Sequence, residues 1–379
     1  MKVFFALGEA SGDALAADLL EALRRNKPDV EAVGLAGSRL QALGVASLFD
    51  ISELSIMGFS AVMTRLPQLV RRVHQTVDAV IRARPDVLVL VDSPDFVHAV
   101  AKRVRKRDPY IPIVNYVCPS VWAWRQSRAR HMAAFVDHVL AILPFEPRLL
   151  TELHGPPATY VGHPLGSLPE PNDFPSNRLL VLPGSRRSEV ERLMPIFGET
   201  LDVLHRRGTT FEAVMPAVAH LRGELAGRVA DWNVPVEVIE ARPRGEAFIG
   251  ARAALAASGT VSLELAMRGV PMVLGYRLDP IAARLTSLVR TWSIALPNHV
   301  ADSVVVPENV EGYAKPERLA RQIEDLLNDT PTRVAQVDGL RRVRQAVRTN
   351  RPAGEVAAEI VARFARTAGA DQDRLSSGT

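Results

Sequence analysis

Leu179-Leu180-Val181-Leu182-Pro183-Gly184-Ser185-Arg186 is an apolar run that stops at a Pro-Gly-Ser turn and leads into a stretch rich in Glu and Leu. That change of character predicts a buried strand turning into a helix. The first backbone N–H groups of such a helix have no partner within it, so its start attracts anions, phosphate above all. Arg186 adds a permanent charge whose planar fork suits phosphate oxygens. A second junction of this kind, Ala256-Ala257-Ser258-Gly259-Thr260-Val261-Ser262-Leu263-Glu264, lies downstream. Two such junctions predict a nucleotide-diphosphate site in this half of the chain. Ser185, Arg186, Ser258, Gly259 and Thr260 would surround the phosphates. Glu264, about one turn inside its helix, would accept from ribose hydroxyls. Two ordinary strand-to-helix turns are the plainer reading. Arg277 and Asn298 are further polar loop residues in the same half.

Outward from this stretch, strand-like and helix-like runs alternate. Upstream strands are predicted at Val3–Leu7, Glu31–Leu35, Val87–Val91, Ile113–Val117 and Val139–Leu143, with amphipathic helices such as Ala14–Arg25 and Leu66–Arg82 between them. Downstream the alternation restarts with Leu179–Leu182, Phe211–Met215, Val236–Ile239, Ala253–Ala257 and Met272–Gly275. A βαβα order predicts parallel sheets covered on both faces. The Pro-rich stretch Gly162–Pro175 reads as a linker. The expected fold class is therefore α/β, with two Rossmann-like doubly wound domains at 1–165 and 166–350 forming a cleft. A C-terminal helix, 351–368, is expected to return to the first domain or to a partner subunit, and the polar residues 369–379 to be a disordered tail.

The bulk numbers fit this reading. A chain of 379 residues suggests two domains, and 47% hydrophobic residues suffice for two cores. A net charge of +4 does not by itself imply nucleic acid. The basic signal is local, at Lys102, Arg103, Arg105, Lys106 and Arg107 and again at Arg125, Arg128 and Arg130. Cys118 is the only cysteine, so an intrachain disulfide is excluded. The apolar start Met1–Leu7 ends at once in Gly8-Glu9 and reads as a strand, not a signal peptide. No stretch reaches the ~20 apolar residues of a spanning helix. HExxH, Cys pairs, DxDxDG, GxxxxGK[ST] and GxSxG are missing, so no metal site, P-loop or nucleophile elbow is predicted, and no cofactor.

Polar loops follow the strands of the first half. In Gly8-Glu9-Ala10-Ser11-Gly12-Asp13, Ser11 or Asp13 is suited to capping the next helix, and Glu9 is left for function. Asp92-Ser93-Pro94-Asp95-Phe96 follows Val87–Val91 directly, and Asp92, which ends the strand, is the candidate general base. In Pro119-Ser120-Val121-Trp122-Ala123-Trp124-Arg125, Trp124 and Arg125 suit a sugar ring and a phosphate. His163, in Val161-Gly162-His163-Pro164, is a candidate contact to substrate. The segment from Ile56 to Val73 carries Phe59, Val62, Met63, Leu66 and Leu69 at helical spacing beside Arg65, Arg71 and Arg72. It reads as a core-facing helix, or as an acyl-chain surface with arginines toward anionic headgroups. Pro67 is expected to begin or kink it.

Taken in order, these motifs resemble the lipid-A-disaccharide synthase family, inverting glycosyltransferases of GT-B architecture. The resemblance rests on GEASGD at Gly8–Asp13, Ser55-Ile56-Met57-Gly58, DSPDF at Asp92–Phe96, PSVWAWR at Pro119–Arg125, PFE at Pro144–Glu146 and GHPL at Gly162–Leu165. It continues through LPGSR at Leu182–Arg186, ASGTVSLE at Ala257–Glu264, PMVLGYR at Pro271–Arg277 and LPN at Leu296–Asn298. Ala61, Val97 and the run Pro307-Glu308-Asn309-Val310-Glu311 depart from the family's pattern. The resemblance implies UDP-2,3-diacylglucosamine as donor, 2,3-diacylglucosamine 1-phosphate (lipid X) as acceptor, and a β-1,6-linked disaccharide 1-phosphate plus UDP as products. It implies Asp92 as the essential acid, Arg186 on the diphosphate, and Glu264 and Asn298 on UDP. It places the protein in the bacterial cytoplasm, peripheral to the anionic inner membrane, with no nucleic-acid partner and with a homodimer open. The rival readings are a UDP-N-acetylglucosamine 2-epimerase or other GT-B UDP-sugar enzyme, and a non-catalytic binder of nucleotide sugars or lipids.

Overall fold

The computed structural model describes residues 1–54, 59–171, 176–277 and 291–376, with only the backbone described at 59–65, 243–244 and 366–376. Two compact units divide the chain: Met1–Pro164 together with Thr349–Thr379, and Leu165–Arg348.

The first unit runs β1 (Lys2–Leu7), α1 (Ala10–Asn26), β2 (Glu31–Gly34), α2 (Ser38–Ala42), α3 (Phe59–Ala83), β3 (Val87–Val91), α4 (Pro94–Arg107), β4 (Ile113–Tyr116), α5 (Ser127–Met132), β5 (His138–Ala141), α6 (Glu146–Glu152) and β6 (Ala158–Tyr160). Its six strands lie in the order β2-β1-β3-β4-β5-β6, all pairings parallel. Both faces of such a sheet are covered, which is why Val87–Val91 is an unbroken apolar run and wholly buried. One face packs on Val77 and Val80 of α3 and on Val97, Val100 and Val104 of α4. Val97, one of the departures from the family pattern, is thus a core residue. The other face packs on Leu15, Leu19 and Leu23 of α1 and on Ala357, Ile360 and Val361.

The second unit runs β7 (Arg178–Leu182), α7 (Arg187–Arg206), β8 (Glu212–Ala217), α8 (Arg222–Val229), β9 (Val236–Glu240), β10 (Ala253–Ala256), α9 (Thr260–Met267), β11 (Met272–Tyr276), α10 (Leu296–Ala301), β12 (Glu308–Val310), α11 (Pro316–Leu327) and α12 (Pro331–Val347). Its sheet is again six-stranded and parallel, in the order β12-β11-β10-β7-β8-β9.

The last helix, α13 (Ala353–Ser376), belongs to the first unit and packs against α1. The two backbones approach closely there: a Cβ at Gly354 would lie 2.9 Å from the Asp18 carbonyl oxygen. α13 runs past residue 369, where composition predicts a disordered tail, and residues 377–379 lie outside the described residues.

One local expectation is narrowed to its second alternative and another is corrected. Pro67 does not begin α3, which starts at Phe59 and carries Pro67 inside. Nor does a Ser11 or Asp13 side chain cap α1, whose N-cap is Glu9 without a side-chain bond. Asp13 instead turns toward α2. Its buried carboxylate accepts from the backbone N–H groups of Gly37 (2.9 Å), Arg39 (2.8 Å) and Leu40 (3.2 Å). Asp13→Ala leaves three donors without their acceptor, and we expect it to cost about 2–4 kcal/mol of stability. Urea unfolding measures this, and an unchanged midpoint would mean that water replaces the carboxylate.

Candidate active site

In a parallel sheet the polar loops gather beyond the carboxyl ends of the strands. In the first unit, the loops after β1, β3 and β4 follow adjacent strands. They meet at Asp92. Its Oδ2 accepts from Ser11 Oγ at 2.8 Å, and its Oδ1 from the Ser93 N–H at 2.8 Å. Its own N–H donates to the Tyr116 carbonyl at 3.1 Å. Asp92 and Ser93 both adopt left-handed backbone, φ 53° and 41°. Non-glycine residues hold that conformation only where surroundings enforce it. The turn directs the half-buried carboxylate across to the β1 loop instead of into solvent. Beside it, Ser93 Oγ is buried without a hydrogen-bond partner.

Around this centre, Arg128 donates to Asp95 at 2.6 Å and ties α5 to the start of α4. Arg125 lies over the Trp124 ring at 4.2 Å, and Trp124 is 45% exposed, so this stacked pair is open to a ligand. Trp122 is used differently, edge-on against Phe145. A groove of about 560 Å³ between α4 and α5 is lined by His98, Lys102, Arg103, Arg125, Arg128 and His131. Glu9 is exposed at the start of α1. His163 is less central. It follows β6, three strands from β3, hence roughly 14 Å away at ordinary strand spacing. Burial lowers its pKa to about 4, so it is neutral near pH 7.

Glu146 of the PFE motif is structural. It is fully buried, and its Oε2 accepts from the N–H groups of Leu143 (3.0 Å) and Ile142 (3.2 Å). Burial pushes its carboxyl from the ordinary 4.5 up to about 8, against those two hydrogen bonds. A folded pKa above the unfolded one gives stability that is full below about 4.5 and is lost as pH rises toward about 8. Glu146→Gln keeps an acceptor and cannot ionise. We therefore expect the variant to gain on the unaltered protein in melting temperature between pH 5 and pH 8. Parallel melting curves would refute this origin.

In the second unit, the strands ahead of the three motif loops, β7, β10 and β11, are neighbours. Gly184 has φ 111°, and Ser185 and Arg186 stand exposed where α7 begins. After β10, Gly259 and Thr260 are exposed at the start of α9, and Ser258 Oγ donates to the Ile294 carbonyl at 2.8 Å. Glu264 is half-buried, and burial raises its carboxyl while Arg268 opposes the rise. Arg277 is exposed after β11, and its carbonyl accepts from Arg192 Nε at 3.2 Å.

Asn298, expected at UDP, has its side chain bonded within its own unit. It lies in α10, 1% exposed. Its Oδ1 accepts from the N–H groups of Val305 and Val306, both at 2.8 Å, and its Nδ2 donates to the Val306 carbonyl at 3.0 Å. Those bonds turn its side chain into the fold. Glu308, in the segment that departs from the family pattern, also holds structure. Its Oε1 accepts from Ser293 Oγ (2.7 Å), Ile294 N (2.8 Å) and Ala295 N (2.6 Å), which fixes the strip that Ser258 touches.

Residues 3–361 match the family model described as lipid-A-disaccharide synthetase. The chain belongs to the lipid-A-disaccharide synthase family. Among its relatives, the lipid-A-disaccharide synthases of Rhodopseudomonas palustris and Bradyrhizobium diazoefficiens are 46% identical over 374 residues and 45% over 376, each match covering 95% of both chains. Solved structures of the same fold include MurG of Acinetobacter baumannii, with TM-score 0.61, 14% identity, and coverage of 96% of this chain and 99% of that one. Another is the UDP-GlcNAc 2-epimerase of Neisseria meningitidis bound to UDP-GlcNAc, with TM-score 0.60, 13% identity and the same coverage. Two parallel sheets and these neighbours give the GT-B architecture. The epimerase likeness is one of fold, and membership of the synthase family makes this chain a glycosyltransferase.

Within this synthase fold, sequence reasoning passed over Glu189 and Arg192, early in α7, and gave no role to Tyr276, the last residue of β11. The available signal for Glu189 was its spacing, three residues after an N-cap, where a Glu commonly reaches back. On α3, Leu66 is 45% and Val70 43% exposed, and Leu69 is partly buried. Phe59, Val62 and Met63 lie on the helix with side chains outside the described set, and residues 55–58 of the Ser55–Gly58 motif lie outside the described residues. Among the described residues, no helix is long and apolar enough to cross a membrane.

Proposed function

We propose that this chain joins UDP-2,3-diacylglucosamine to lipid X, giving the β-1,6-linked disaccharide 1-phosphate and UDP. Membership of the synthase family supports the reaction. The observation that carries the residue assignment is the placing of the Gly184–Arg186, Ser258–Thr260 and Arg277 loops after three neighbouring parallel strands. The acceptor 6-hydroxyl attacks the anomeric carbon and passes its proton to Asp92. The bond to the diphosphate breaks on the opposite face, and Arg186 with the starts of α7 and α9 takes up the charge that develops there. Glu264 holds the ribose, and Asn298 acts indirectly by fixing the 305–306 strip. Trp124 with Arg125, and the basic groove beside them, suit the acceptor's ring and phosphate, with Glu9 and Ser11 at the same edge.

The exposed apolar residues of α3, together with the basic residues of α4 and α5, suit a peripheral stay on an anionic inner membrane from the cytoplasmic side. The direct test is to incubate the protein with both acylated substrates. Free UDP and the disaccharide, read by mass, are the expected products, and donor binding without UDP release would favour a mere binder.

A further inference from the structure

The loop assigned to the diphosphate already holds a negative charge. Glu189 lies in the first turn of α7 with its side chain 11% exposed, and its Oε1 accepts from Arg186 Nη1 at 3.2 Å. The carboxylate folds back over the turn so closely that a Cβ at Gly184 would lie 2.5 Å from Glu189 Oε2. Gly184 thus makes room for a carboxylate belonging to the protein. Tyr276, at the end of β11, senses the same charge. Burial raises its phenol, Glu189 raises it further, and Arg192 and Arg186 oppose.

A carboxylate at a helix start is favourable in itself. Here it stands where an incoming phosphate shares the same guanidinium. A donor in which the sugar esterifies the terminal phosphate carries less charge than free UDP, whose terminal phosphate gains about one further negative charge above pH ~6. A site of positive groups alone would therefore hold the leaving product more tightly than the donor. A fixed negative charge reverses that bias, because it repels the more charged species more strongly.

We propose that Glu189 is a resident counter-charge of the Arg186 site that weakens retention of released UDP relative to the intact UDP-sugar donor. The proposal rests on the reading of the second unit as the donor site. Since product release limits turnover in many well-evolved enzymes, its effect falls on kcat as well as on affinity.

The test uses the full chain and compares the unaltered protein with Glu189→Gln and Glu189→Asp. The dissociation constant of UDP is measured by calorimetry and the KM of the acylated donor by turnover. Glu189→Gln keeps an acceptor for Arg186 and removes the charge. We expect it to tighten UDP about tenfold, to change donor KM much less, and to lower kcat as UDP lingers. Its effect on UDP should shrink below pH ~6, where the terminal phosphate protonates. Glu189→Asp keeps the charge and should stay near the unaltered ratio of the two constants. If Glu189→Gln weakens both ligands equally, or leaves their ratio unchanged, Glu189 only positions Arg186 and the proposal fails. Arg186→Ala separates the two readings. UDP affinity untouched by that change would overturn the donor-site assignment itself, whatever Glu189 does.

Discussion

We expect Asp92→Asn to lower turnover by about 10²–10⁴-fold, the usual contribution of a positioned general base, with UDP affinity within about twofold of the unaltered protein. The substitution is nearly isosteric. An amide can still accept from the Ser93 N–H, and the Ser11 hydroxyl can turn to accept where it now donates. The left-handed turn at Asp92 and Ser93 tolerates Asn as readily as Asp. What disappears is the ability to take the proton of the attacking hydroxyl. Turnover and UDP calorimetry on the same preparation decide the matter. Near-normal turnover would remove Asp92 as the base, whereas joint loss of turnover and UDP binding would point to a disturbed fold.

Arg186→Ala should produce the second large effect, a fall in kcat/KM of about 10²–10³-fold. Two causes add. The guanidinium fork no longer meets the phosphate oxygens, and Glu189, now without its 3.2 Å partner, faces the diphosphate uncompensated. Arg186→Lys keeps charge without the fork and should recover only part of the loss. The double change Arg186→Ala with Glu189→Gln should recover part as well, because the unbalanced carboxylate is gone. Strict additivity of the two single changes would show that the pair does not act as a unit.

The strands were legible because both faces of a parallel sheet are covered. Val87–Val91 and Leu179–Leu182 are buried and announce themselves as apolar runs. The motif loops were legible because such strands end in loops on one edge. Asp13 was misread because its three donors lie 24 to 27 residues away, beyond any local pattern. The internal partners of Asn298 were illegible for a related reason. Its bonds to residues 305 and 306 leave no trace in composition or periodicity. For His163, nothing in the order of the chain reveals that β6 is the edge strand, well removed from β3. Glu189 was passed over because an acid early in a helix is ordinarily a surface residue favoured by the helix dipole.

The packing of α13 on α1 has a further result for how the protein is made. The face of the first sheet that carries Leu15, Leu19 and Leu23 is closed by Ala357, Ile360 and Val361, which leave the ribosome only after the whole of the second unit. Throughout that interval the nascent first unit presents an apolar flank with no cover. Of the two units it is the first to emerge and the last to be finished, so a nascent chain stalled before Ala353 is a natural client for chaperones and proteases.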